Sequence, residues 1–142
     1  MVAGILATSL LLVGCGNQTE VLSCYMEDDS TAGMAMRQDV KMNFQNNSLE
    51  TLDMTMTVTL DDTYVSMIDM LESTLKASLE EYDGKNGFTI DTSREDNKLV
   101  ITLNGDITKL TEEEKESYDI TSGAGTLEDA KTMLEGQGYT CE

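Results

Sequence analysis

The feature that most constrains this chain is a ten-residue run in which every second side chain is apolar. Leu52, Met54, Met56, Val58 and Leu60 alternate with Thr51, Asp53, Thr55, Thr57 and Thr59. A period of two held this long requires a strand with one buried and one wet face, as in an antiparallel sheet. The same period precedes it. Met36, Val40, Met42 and Phe44 share a face with Gln38, while Arg37, Asp39, Lys41 and Asn43 share the other. Asn46-Asn47-Ser48 between the two runs is a hairpin signal.

At Asp61 the period changes. Tyr64, Ile68, Leu71, Leu75, Leu79 and Tyr82 recur at steps of three and four, flanked by Met67. This spacing predicts an amphipathic helix capped by Asp61-Asp62-Thr63 and closed near Gly84. Its outer face carries Asp69, Glu72, Lys76 and Glu80, with Glu72 and Lys76 spaced to pair. Val21–Met26 reads as an earlier strand, and residues 27–33 as the turn after it. Residues 88–92 and 98–103 read as a second hairpin around Arg94–Asn97. Thr111-Glu112-Glu113-Glu114 has the form of a capping box for a short helical turn. Thr126 caps a last helix with Leu127, Ala130, Met133 and Leu134 inside and Gly136 at its end, before a short strand at 138–141.

The expected order is β-β-β-α-β-β-α-β. The natural packing is α+β: one twisted antiparallel sheet with amphipathic helices on its apolar face. The first and last strands then lie close enough for Cys24 to meet Cys141. No repeat or low-complexity block divides the chain.

The first residues carry a different signal. Residues 1–13 are uncharged and almost wholly apolar, and they end in Leu12-Val13-Gly14-Cys15. A short apolar run closed by small residues reads as a secretory signal. It is too short for a membrane span, which needs about 20 apolar residues. Leu-Val-Gly-Cys matches the lipobox, after which the leader is cut and the cysteine takes a diacylglycerol. The expected division is a leader over 1–14, a lipidated tether over 15–20 and a single domain over 21–142. Met1-Val2-Ala3-Gly4 lacks the Lys or Arg that normally opens a leader, so the leader is expected to start upstream.

Composition limits the partners. Nine basic residues against 27 acidic ones exclude a basic nucleic-acid footprint. They also exclude electrostatic docking onto anionic lipid, so the acyl chains on Cys15 must do the anchoring. The absence of His removes the usual general base and the commonest metal ligand. Ser122-Gly123-Ala124-Gly125 lacks the order of a nucleophile elbow and reads as a loop. No glycine pattern cradles a phosphate. With so many carboxylates, an acidic pair for hydrolysis would arise by chance, so a carboxylate-based hydrolase is a weak alternative. A cation-binding surface is the other alternative, with Asp28, Asp29, Asp61 and Asp62 as candidates for calcium and the methionines for Cu(I). The acidic segments lack an alternating calcium-loop spacing, and Met42, Met54 and Met56 sit at core spacing. Neither a catalytic residue nor a cofactor is expected.

Three cysteines are present. With Cys15 set aside for lipid, Cys24 and Cys141 remain, and in an exported protein such a pair reads as a disulfide. Two reduced thiols are the alternative. The lipobox, Leu22-Ser23-Cys24, the alternating strands, the amphipathic helix and the ending Leu134-Glu135-Gly136-Gln137-Gly138-Tyr139-Thr140-Cys141 occur together here. The chain thereby resembles the YehR-like group of small exported lipoproteins of low-GC Gram-positive (Firmicutes-type) bacteria. The resemblance implies an α+β fold, acylation at Cys15 and a Cys24–Cys141 bridge, and it carries over no catalytic residue. The function expected is a membrane-anchored, extracytoplasmic, non-catalytic binding module with an unknown ligand.

Overall fold

Thr19–Asp28 (β1), Met34–Gln45 (β2), Ser48–Leu60 (β3), Phe88–Glu95 (β4), Lys98–Asp106 (β5) and Thr140–Cys141 (β6) form one antiparallel sheet. Its spatial order is β4-β5-β3-β2-β1-β6. Helices span Ile68–Leu79 (α1), Glu112–Ser117 (α2) and Leu127–Gly136 (α3). The structure, a computed structural model, describes residues 18–142 apart from Tyr82, Lys85, Asn86 and residues 118–124. The expected leader over 1–14, Cys15, the start of the expected tether, Tyr82 of the expected helix stripe and Ser122 to Ala124 lie outside the described residues.

The alternation sets the register. Leu22 faces Met42, Met42 faces Leu52, Met56 faces Ile101 and Ile90 faces Leu103, so the apolar positions of five strands fall on one side. The β2–β3 hairpin turns on Asn46 and Asn47, at φ 50° and 65°. Two left-handed residues match the twist of a tight hairpin, and Asn tolerates them well. Beyond that turn the pairing slips: Phe44 faces Leu49, whereas Asn43 faces Thr51. Glu50 is thus an extra residue on β3, and the bulge turns Leu49 to the apolar side.

Three groups of side chains cover that side. At one end Leu22, Val40, Met42 and Phe44 pack beneath Ala130 and Leu134 of α3. At the other, Val58, Leu60, Leu99 and Ile101 pack beneath Ile68, Leu71 and Leu75 of α1. A short 3-10 turn, Ile107–Lys109, brings Ile107 and Leu110 against Phe88.

The coarse α+β reading holds, and the details depart from it. The period change at Asp61 does not open directly into α-helix. Asp61 Oδ1 accepts the Thr63 and Tyr64 backbone N–H groups at 2.9 and 3.2 Å, then a 3-10 turn covers Val65–Met67 before α1 begins. The tighter turn takes Tyr64 out of the expected buried stripe, and Tyr64 and the flanking Met67 stand 41% and 44% exposed. The helix also stops at Leu79 rather than near Gly84. Among the described residues two helices lie between β5 and β6: α2, the short turn expected after Thr111, and α3, so the order departs from the single helix of β-β-β-α-β-β-α-β. The Thr111 capping box is reciprocal: Thr111 N–H donates to Glu114 Oε2 at 2.7 Å and Glu114 N–H to Thr111 Oγ1 at 3.2 Å. Glu72 pairs with Lys76 at 2.7 Å, as the spacing requires.

Helix α3 ends at Gly136, as expected, and Gly138 makes the reversal after it. Gly138 has φ 96°, its N–H donates to Glu135 O, and Tyr139 N–H donates to Leu134 O. This is a Schellman ending, with Tyr139 and Leu134 in the same apolar cluster. The reversal sends residues 139–142 back along β1. Gly138→Ala should cost about 1–2 kcal/mol from the left-handed backbone alone, because the nearest atom to an added Cβ is Met26 Sδ at 4.0 Å. Gly136→Ala, inside the helix with nothing near its added Cβ, should instead stabilise by about 0.5–1 kcal/mol. Urea unfolding of the two variants checks the opposite signs.

Candidate functional site

Alternation that buries one face of the sheet leaves the other face built from polar residues. Three cross-strand rows run across it. Glu27, Arg37, Thr57, Val100 and Ser93 face one another in sequence of strands, and so do Tyr25, Asp39, Thr55, Thr102 and Asp91. Ser23, Lys41, Asp53, Asn104 and Thr89 make the third. The threonines are strand formers whose methyl groups cover the pleat while their hydroxyls remain available.

Arg37 gathers the charges of this face toward one end of the sheet. Its Nη1 donates to Glu27 Oε1 at 2.6 Å, and its Nε and Nη2 donate to the two oxygens of Asp39 at 2.9 and 2.8 Å. The guanidinium lies 4.6 Å from the centre of the Tyr25 ring. Hydrogen bonding to Asp39, then to Glu27, raises the Arg37 pKa further. One cation is thus held by two carboxylates and an aromatic face, which fixes its position without burying it. Shallow hollows of about 350 and 340 Å³ lie on either side of Arg37. Ser23, Lys41, Asp53 and Thr55 border the first; Thr57, Thr59 and Lys98 border the second. The face therefore offers many hydroxyl donors and acceptors around fixed charges, which suits hydrogen-bonded recognition of a polar ligand.

The cysteine pair lies at the β6 edge of the sheet, with Cys24 buried in the apolar cluster beneath α3. Cys24 and Cys141 sit directly opposite on β1 and β6, with Cα atoms 4.0 Å apart, and are joined as a disulfide. Glu142 N–H donates to Ser23 O beside the bond. Cys15, the expected acyl site, lies outside the described residues.

The acidic candidates come to one end of the sheet, where Asp61 N–H donates to Gly33 O at 2.9 Å. Their carboxylates are used locally. Hydrogen bonds from the Ser30 hydroxyl and backbone N–H hold the Asp28 carboxyl below the usual carboxylate range. Asp61 caps Thr63 and Tyr64, and Asp29 and Asp62 are exposed turn residues. Among the described residues, no three Cys, Asp or Glu side chains are grouped so as to hold a metal ion. No helix among them is long and apolar enough to cross a membrane. Sequence reading placed Arg37 and Asp39 on the wet face but did not join them to Tyr25 and Glu27. That step needs the β1–β2 register, which begins beyond an irregular turn.

An antiparallel six-stranded sheet, covered by helices on one face and open on the other, defines an α+β protein with a YehR-like fold. No family model matches the chain, and no curated protein does. Among solved structures, the chain is similar to the NMR structure of E. coli YehR, with a TM-score of 0.63 and 12% identity over 89% of this chain and 92% of that one. It is also similar to an NMR structure of a protein from Streptococcus pneumoniae, with a TM-score of 0.50 and 17% identity over 100% of this chain and 97% of the other. At these identities the likeness is one of fold.

Proposed function

We propose that this chain is a lipid-anchored extracytoplasmic protein, tethered through a diacylglycerol on Cys15 to the outer face of a cell membrane. Its domain is a non-catalytic binding module that presents the polar face of the sheet to its ligand. The observation that carries the binding role is the Arg37 cluster, a cation preset by Glu27, Asp39 and Tyr25 on the uncovered, threonine-rich face. A fixed charge among hydroxyl groups loses little freedom when a polar ligand settles on it. The disulfide between Cys24 and Cys141 suits an oxidising compartment. The short tether from Cys15 to Cys24 keeps the domain within about 30 Å of the lipid surface even when extended.

Hydroxyl-radical footprinting tests the role of the face. The protein in its native cell envelope is compared with the purified, detergent-extracted protein. Tyr25 should oxidise at least about threefold more slowly in the envelope if a ligand occupies the face, since bound surface is shielded from solvent. Equal rates for Tyr25 in the two preparations would defeat the binding role.

A further inference from the structure

Among the described residues the exposed large apolar side chains are Val21, Tyr64, Met67 and Met70, and three of these four border one groove. The groove holds about 450 Å³ and runs between α1 and the end of the sheet at the turn after β1. Met34 and Leu60 form its floor, Leu71 one wall, and Tyr64, Met67 and Met70 its lip. Met70 is 60% exposed. Burying such side chains is favourable, and a monomer rarely leaves several of them together in solvent.

The lip is built, not frayed. The Tyr64 ring lies flat against Gly33, where an added Cβ would come 2.3 Å from two ring carbons. Gly33 has φ 80° and its carbonyl accepts the Asp61 N–H, while Asp61 caps Tyr64. Methionines suit the rest of the lip, because their unbranched chains reshape around an apolar partner.

Charge selects the occupant. No residue bordering the groove is charged. The segments that supply it, 27–33 and 60–75, contain seven acidic residues and no basic one. Arg94 pairs with Asp69, Lys76 with Glu72 and Arg37 with Glu27. Among the described residues, that leaves Asp28, Asp29, Asp61 and Asp62 without an ion pair. An anionic lipid surface or a second copy of this chain, itself at −18, would meet repulsion at this rim. We infer that the groove docks a cationic amphipathic helix of a partner protein, its apolar side chains among Tyr64, Met67 and Met70 and its basic side chains against the acidic rim. This site is on the helix-covered side of the sheet, so it stands or falls separately from the polar face.

Fluorescence anisotropy on the full chain tests the inference with a synthetic 14-residue helix of leucine and lysine, the leucines along one face. Met67→Gln with Met70→Gln keeps every charge and should weaken binding about tenfold or more, as loss of central apolar anchors does. Val21→Gln, at the exposed apolar residue outside the groove, should leave binding unchanged. A shuffled peptide of the same composition should bind the unaltered chain no better than the helix binds the double variant. Circular dichroism and melting check that the double variant is folded; if it is not, Met70→Gln alone carries the comparison. Equal binding by the double variant, or by the shuffled peptide, would overturn the inference, since charge alone would then explain the attraction. So would a dimer in sedimentation that the Met67→Gln, Met70→Gln chain does not form.

Discussion

Replacing Cys24 and Cys141 together by alanine is expected to lower the unfolding free energy by up to about 5 kcal/mol. The two residues are 117 positions apart in sequence. A bond across so long a loop removes much of the freedom of the unfolded chain, worth about 4–5 kcal/mol in the chain-entropy account. For a domain of this size that corresponds to a fall of roughly 15–20 °C in melting temperature. The fold itself should persist, because β1 remains paired with β2 over ten positions. The local effect should be larger. Strand β6 has only two paired positions, so without the bond the amides of residues 140–142 should exchange with solvent at nearly the rate of an unfolded peptide. Urea unfolding with and without reductant, and exchange measured by NMR, check both effects. A change below about 1 kcal/mol would mean that the unfolded chain is not measurably restrained by this loop.

The second large effect is expected from Phe44→Ala, at about 3–5 kcal/mol. Phe44 is fully buried and lies in the cluster beneath Ala130, also fully buried, with Leu49 and Leu52 packed against it. The bulge at Glu50 turns Leu49 toward the same side, so removing the ring leaves a cavity walled by two strands and a helix. Val21→Ala, half-exposed on the neighbouring strand, should change stability by no more than about 0.5 kcal/mol. Phe44 and Cys24 share one cluster, so their effects should not add simply. Denaturant midpoints for the single and combined variants measure the coupling. A loss below about 1 kcal/mol for Phe44→Ala would show that α3 closes onto the gap.

The strands were legible because alternation is a local signal of burial. Leu52, Met54, Met56, Val58 and Leu60 read as one face, and all five turn toward the helices. Leu49 was not legible: counted from Leu52 it falls on the wet side, and only the extra residue Glu50 returns it to the core. The caps at Thr111 and Thr126 were legible because each is a side chain within three residues of its partner. Gly138 was missed because Gly136 stands where the apolar pattern stops, and backbone sign is invisible in sequence. Tyr64 and Met67 kept a helical spacing yet stayed exposed, because a 3-10 turn shifts the angle of each residue before α1 begins. The same shift formed the lip of the groove. The Arg37 cluster joins residues from two strands ten positions apart, so it required the register as well as the alternation.

In the proposed function the three cysteines divide by role: Cys15 for lipid, Cys24 and Cys141 for each other. Intact-mass spectrometry of the protein extracted from its native membrane measures that division directly. The expected result is a chain beginning at Cys15, heavier by a diacylglycerol and lighter by about 2 Da for an oxidised Cys24–Cys141 pair. A chain still carrying residues 1–14, with no acyl mass, would contradict it.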